Sequence, residues 1–193
     1  MSMLPPFETF SVKNSIEFAN ELKNVQIQED EVMVSFDVSA LFPSIPLDHA
    51  LVSLENHLRK HNVQSDHLNI YMETAKLCMK MNYFEYRKRY FKIESGTSMG
   101  NPLSPLIAEA FMSKLEMELK EKDFIPRFWK RYVDDIFAIV KRDNVNTLLE
   151  ILNNLYEGVN FTLEVETDNS IVFLDLMVQR NRNWSLSQRN KHF

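Results

Sequence analysis

Phe128-Trp-Lys-Arg-Tyr-Val-Asp-Asp-Ile-Phe-Ala-Ile-Val140 contains two aromatic and β-branched runs, 128–132 and 136–140, joined by Val133-Asp134-Asp135. The pattern predicts a β-hairpin with two acids at its turn. A second apolar run, Glu31-Val-Met-Val-Ser-Phe-Asp37, reads as a strand that also ends on an acid, and Pro43 and Pro46 close it. If that strand lies beside the hairpin, Asp37, Asp134 and Asp135 converge. Three carboxylates at the ends of buried strands repel one another and lose hydration. Bound cations would remove that penalty. Hard oxygen donors suit Mg²⁺ or Mn²⁺, and no Cys or His cluster offers a zinc alternative. An Asp pair is also ordinary in a hairpin turn, so spacing alone does not choose.

Around these strands the helical signals are clear. Leu47, Ala50, Leu51, Leu54 and Leu58 recur at helical spacing over 47–60, with a cap near Asp48. A second helix is predicted over 65–80, with Ser65 as its cap. Pro102 and Pro105 open a long helix to about Lys122, a tolerated place for proline because the first helical amides lack acceptors anyway. Asn144 to Tyr156 reads as another helix. Tyr83–Tyr86 and Tyr90–Ile93 flank Arg87-Lys88-Arg89 as a hairpin with a basic tip, and 161–166 with 171–178 form a third hairpin around Asp168-Asn169. The order β-α-α-ββ-α-ββ-α-ββ predicts an α+β fold of antiparallel hairpins.

With 193 residues, 45% hydrophobic, the chain suits one domain and excludes disordered and low-complexity classes. The apolar run 136–140 is too short to span a membrane, which takes about 20 residues. The first ten residues lack a signal-peptide pattern. One cysteine, Cys78, excludes an internal disulfide, fits a reducing intracellular compartment, and is expected as a buried inert thiol. The net charge of −5 is unlike a simple basic nucleic-acid module. It is uneven: Arg180, Arg182, Arg189 and Lys191 give the last fifteen residues +4, leaving −9 elsewhere. His49, His57 and His61 are expected at exposed helix positions.

Three strings occur in order: Phe36-Asp-Val-Ser-Ala-Leu-Phe42, Gly96-Thr-Ser-Met-Gly-Asn-Pro-Leu-Ser-Pro105 and Tyr132-Val-Asp-Asp135. They resemble motifs A, B and C of a reverse transcriptase palm. The fuller strings, 36–46 and 129–137, with Phe173-Leu-Asp-Leu176, most resemble Penelope-like retroelements. The resemblance implies a polymerase palm, a ferredoxin-like antiparallel sheet with helices on one face, spanning about 31–178 and joined to part of the fingers. It implies two Mg²⁺ (or Mn²⁺) ions bound by Asp37 and Asp134, with Asp135 as a lesser contributor and the carbonyl of Val38 on the nucleotide side. Phe42 corresponds to the aromatic that excludes a 2′-hydroxyl; by itself it reads as a core residue before a proline turn.

Gly96, Gly100 and Pro102 would let the motif B loop approach the nucleotide, with Met99 where many relatives carry Gln. Arg87, Lys88, Arg89 and Lys92, interleaved with Tyr86, Tyr90 and Phe91, suit phosphates and stacked bases, or form a solvated tip. Lys130 and Arg131 either contact primer phosphates or offset the acids. Lys141 has no assignable role as an acid.

The implied activity is RNA-directed DNA polymerisation from RNA template, DNA primer and dNTP, at a nuclear site of action and with no membrane partner. The alternatives are a catalytically silent retroelement fragment that at most binds nucleic acid or a partner, and an unrelated Mg²⁺ phosphohydrolase. Fingers and thumb are expected to be incomplete or absent within the 193 residues.

Overall fold

The computed structural model describes residues 6–190, the last by its backbone alone. In chain order the elements are α1 (Ser15–Leu22), β1 (Glu31–Val38), α2 (Leu41–Ser44), α3 (Leu47–Lys60), α4 (Ser65–Lys80), β2 (Tyr83–Tyr86), β3 (Arg89–Lys92) and α5 (Ser104–Glu121). There follow β4 (Phe128–Tyr132), β5 (Asp135–Lys141), α6 (Val145–Leu155), β6 (Phe161–Val165), β7 (Ser170–Phe173), β8 (Leu176–Arg180) and β9 (Leu186–Asn190). The chain divides into two compact units, one comprising residues up to Thr9 with Ala40–Glu118, the other Phe10–Ser39 with the chain from Leu119 onward. Among the described residues no helix is long and apolar enough to cross a membrane.

The second unit is built on an antiparallel sheet of order β4-β5-β1-β6. β1 is central because six of its eight residues are buried and its backbone needs partners on both sides. Val32, Val34, Phe36 and Val38 are all buried on one face. On the other face burial falls along the strand: Glu31 and Met33 are buried, Ser35 half-buried and Asp37 exposed. Met33 sits in a core with Phe18, Leu22, Phe137 and Phe173. The Phe18 ring lies 5.1 Å from that of Phe137 and 4.6 Å from that of Phe173. Each fully buried side chain of this kind contributes about 1.5–3 kcal/mol.

Two expectations change here. The third hairpin does not form: β6 pairs with β1, and β7 pairs with β8, which pairs with β9. α6 packs on β6 and delivers it to the free side of β1, where the central strand's unpaired backbone outcompetes the nearer segment. α1 is an added helix. The Asn14 side chain accepts a hydrogen bond from the Glu17 amide at 2.9 Å, and Glu17 accepts one from the Lys13 amide at 2.5 Å, the reciprocal pattern of a capping box.

In the first unit α3 packs against α4. α4 starts after Gln64 with no side-chain cap, so Ser65 is its first helical residue and not its cap. His57 is 8% exposed and stacks on Phe7 at 4.0 Å, against the expectation of an exposed histidine. Cys78 is half-buried and free. β2 and β3 make a separate two-stranded hairpin around Arg87-Lys88, both with positive φ.

The motif B loop is anchored from below. The Thr97 amide donates to the Phe42 carbonyl at 2.8 Å. Gly96 has φ +67°, and a Cβ there would stand 2.2 Å from the Pro43 carbonyl oxygen and 2.4 Å from that of Phe42. Asn101 donates to the Cys78 carbonyl at 3.1 Å and accepts from the Leu103 amide at 3.0 Å. Thr97, Ser104 and the Ser98 carbonyl complete the loop's hydrogen bonding.

Two stability predictions follow from these contacts. Arg127 forms a bidentate pair with Glu31, both contacts at 2.6 Å, and this holds the Glu31 carboxyl below its usual range. A depressed carboxylate stabilises the fold above its unfolded pKa, about 4.3, and that stability is lost as pH falls through the folded value. Glu31→Gln should therefore lower unfolding free energy by about 1–3 kcal/mol at pH 7, with the deficit shrinking below about pH 4 in urea titrations. Gly96→Ala should cost about 1–3 kcal/mol from its backbone conformation alone, and more from the contact with Pro43, read as a lowered melting temperature.

Candidate active site

The hairpin of β4 and β5 turns at Val133-Asp134, so Asp135 is the first residue of β5 and not part of the turn. Val133 takes φ 57°, an unusual conformation for a β-branched residue. The Arg131 guanidinium, fully buried, donates to the Val133 carbonyl at 3.0 Å and holds this turn from inside. At the outer edge of β4 the segment before α1 runs alongside: the Val12 amide donates to the Arg131 carbonyl at 2.8 Å and the Arg131 amide donates to the Phe10 carbonyl at 3.1 Å.

Registers then decide where the acids meet. β1 and β5 pair Phe36 with Ile136, and one position further the antiparallel register sets Asp37 opposite Asp135. Asp37 itself pairs with Thr162 on β6, whose hydroxyl donates to the Asp37 carbonyl at 3.4 Å. Partial loss of hydration, then the charge of Asp134, pushes the Asp37 carboxyl above its ordinary range. Burial, then Asp134 and Asp37, pushes Asp135 up likewise. The three acids thus sense one another at one end of the sheet.

A cleft of about 430 Å³ opens there, lined by Asp37, Asp135, Thr162, Glu164 and, across it, Phe173 and Leu174. Glu164 and Thr162 were not anticipated. They alternate on β6 and face the same way as Ser35 and Asp37. Their polar spacing was visible in sequence, but its meaning depends on β6 joining β1.

The donor chemistry fits a divalent hard cation: carboxylate oxygens, partly desolvated, raised by each other's charge, with no sulfur or imidazole among them. Among the described residues no three acidic, histidine or cysteine side chains form a ready ligand set. An open site of that kind matches Mg²⁺, which is commonly held by one or two carboxylates together with substrate phosphates. Val38, buried at the end of β1, offers only its main chain.

The other candidate residues fall into place separately. Phe42 is half-buried and held by Thr97. The close approach made by Gly96 is to the backbone of Phe42 and Pro43, whereas a Cβ on Gly100 would meet open space. Met99 is 81% exposed, and Pro102 is exposed. Arg87, Lys88, Arg89 and Lys92 are exposed on the β2–β3 hairpin, with the Arg87 guanidinium 5.2 Å from the Tyr86 ring centre and Phe84 stacked on Phe91 at 5.4 Å.

Three basic residues depart from expectation. Arg131 is buried, so it cannot present itself to primer phosphates. Lys130 pairs with Glu21 at 3.2 Å. Arg180 is buried in an ion pair with Glu166 and adds nothing to a basic tail. Lys191, from the same tail, lies outside the described residues. Lys141 pairs with Asp30 at 3.4 Å, at the far end of β5 from Asp135.

The likeness to known proteins agrees with this architecture. Apo telomerase from Candida tropicalis superimposes with a TM-score of 0.73 at 16% identity, over 94% of this chain and 36% of that one. Telomerase from Candida albicans, in complex with a fragment of telomeric RNA, gives 0.70 at 15% identity, over 94% and 36%. The RNA-dependent RNA polymerase from bacteriophage phi12 gives 0.55 at 16% identity, over 96% and 31%. At these identities the likeness is one of fold, and the chain spans about a third of each of these proteins. No curated protein sequence matches it. The family model described as reverse transcriptase (RNA-dependent DNA polymerase) matches residues 3–166, most of the chain and all three motifs. The α+β fold is that of a polymerase palm, and the chain belongs to the reverse transcriptase family.

Proposed function

We propose that this chain is the palm core of a retroelement reverse transcriptase, Penelope-like in type, that adds dNTP to a DNA primer on an RNA template in the nucleus. The observation that carries the reading is the meeting of Asp37, Asp134 and Asp135 at one end of the β4-β5-β1-β6 sheet. The Asp37 and Asp135 carboxyls are raised first by lost hydration and then by neighbouring acidic charge, a cost that a bound cation would relieve.

In this reading Asp37 and Asp134 hold two Mg²⁺ or Mn²⁺ ions, with the Val38 carbonyl assisting and Asp135 adding charge nearby. The ions supply Lewis acidity, favouring a deprotonated primer 3′-hydroxyl and offsetting charge on the α-phosphate. The protein's own work is positional. Arg131 holds the Val133 carbonyl and so fixes the backbone of the turn that carries Asp134. Phe42, fixed by Thr97 and Gly96, excludes a 2′-hydroxyl by volume. Met99, Gly100 and Pro102, all exposed, are the motif B residues that this reading assigns to the nucleotide. Arg87, Lys88, Arg89 and Lys92 attract phosphates, with the neighbouring aromatics offering faces for unpaired bases.

Two experiments test the proposal. In thermal melts, Mn²⁺ or Mg²⁺ should raise the melting temperature by mass action. Asp134→Asn should shrink that gain while stabilising the metal-free protein; a melt indifferent to both ions would remove the metal site. In primer extension on an RNA template, Asp134→Asn should lower dNTP addition by about 100-fold or more. Phe42→Ala should raise ribonucleotide use relative to dNTP by about 10–200-fold. Phosphate release without a primer would instead identify a phosphohydrolase, and binding without extension a silent interaction module.

A further inference from the structure

α4 carries apolar side chains on two faces, and one of them is open to water. Leu68, Met72, Ala75 and Met79 are buried at the four-three-four spacing of a heptad seam, and α4 packs on α3. Ile70, Thr74 and Leu77, with Met81 as the capping residue just past the helix end, repeat the same spacing on another face. There Ile70 is 61% exposed, Leu77 57% and Met81 66%. Single exposed apolar residues need no explanation, but a row at seam spacing is the mark of a surface that meets a helix.

We propose that this row is the seam of an antiparallel pairing with α4 of a second copy of this chain. The seam complements itself. Setting Ile70 against Met81 of the second copy, and Thr74 against Leu77, fills each layer with one larger and one smaller or flexible side chain. The symmetry axis then passes between Ala75 and Lys76. In that same register Glu73 flanks the seam opposite Lys80 of the second copy, and the symmetry makes this contact twice. Both residues are exposed, and Glu73 already engages Lys76 in its own helix at 3.1 Å. A parallel pairing would stack Thr74 on itself and leave Glu73 with no opposite charge. Antiparallel helices also oppose their macrodipoles favourably.

Sedimentation equilibrium of the 193-residue protein tests this directly. The expected result is a reversible monomer–dimer equilibrium. Leu77→Asp should weaken it about tenfold or more while leaving the circular dichroism unchanged, and the melting temperature unchanged when both proteins are dilute enough to be monomeric, since Leu77 is exposed. Glu73→Lys should weaken the dimer, and adding Lys80→Glu should restore it. Because Lys76 can pair within its own helix with an acid at position 73 or at position 80, the rescue counts only if the helix content and the dilute-solution melting temperature of the two variants are equal. A protein that stays monomeric up to its solubility limit overturns the proposal and leaves the row to a different protein. A dimer unmoved by Leu77→Asp, or a charge exchange without rescue, overturns it equally.

Discussion

The alternation of β1 is the constraint on which the second unit depends. Its even-numbered side chains are all buried, so the strand has no freedom to slip by one residue without turning four apolar groups outward. The odd-numbered face is then fixed as well, with Met33 in the core and Asp37 at the surface end. Because the register with β5 is antiparallel, the same constraint sets Asp135 opposite Asp37. Hydrophobic burial thereby holds the acids against one another, and their repulsion is carried by packing elsewhere in the sheet.

Arg131 shows how the turn is kept. A guanidinium buried without partners would be prohibitive. Here it donates to the Val133 carbonyl, and Val133 sits in a left-handed backbone conformation that a valine rarely adopts. The two unusual features explain each other: the buried charge gives the turn a fixed carbonyl to point at it, and the strained residue delivers that carbonyl. Gly96 plays a related part in the first unit, where the absence of a side chain lets the loop lie on the backbone of Phe42 and Pro43.

Much of this was legible in the sequence, and the failures have physical causes. The helices α3, α4 and α5 and the hairpins β2–β3 and β4–β5 were readable because periodicity and turn residues are local signals. Asp37, Asp134 and Asp135 were readable because each ends an apolar run. The strand over 161–166 was readable but its partner was not, because pairing with β1 is a long-range choice driven by a central strand's unmet backbone groups; Thr162 and Glu164 were missed with it. For Arg131 the sequence left phosphate contact and offsetting the acids both open, and its burial removes the first; the burial of Arg180 rests on Glu166, a partner that only the fold brings beside it. The Asn14–Glu17 cap was present in plain view, but a helix as short as α1 takes its stability from the Phe18 and Leu22 contacts, which no local pattern reveals.

The division of the chain also bears on how it folds. The first unit is largely one insertion, Ala40–Glu118, placed between β1 and the hairpin that β1 must pair with. Closing so long a loop is entropically unfavourable, and contacts of that range are slow to form. Within the insertion the order reverses: α3 meets α4, and β2 meets β3, through neighbours in sequence. Local helices and hairpins form on microsecond timescales, so the insertion can gain structure while β1 still lacks its partners. The acids lie at the junction of segments separated by the whole insertion, so bringing them together carries the entropy of closing it.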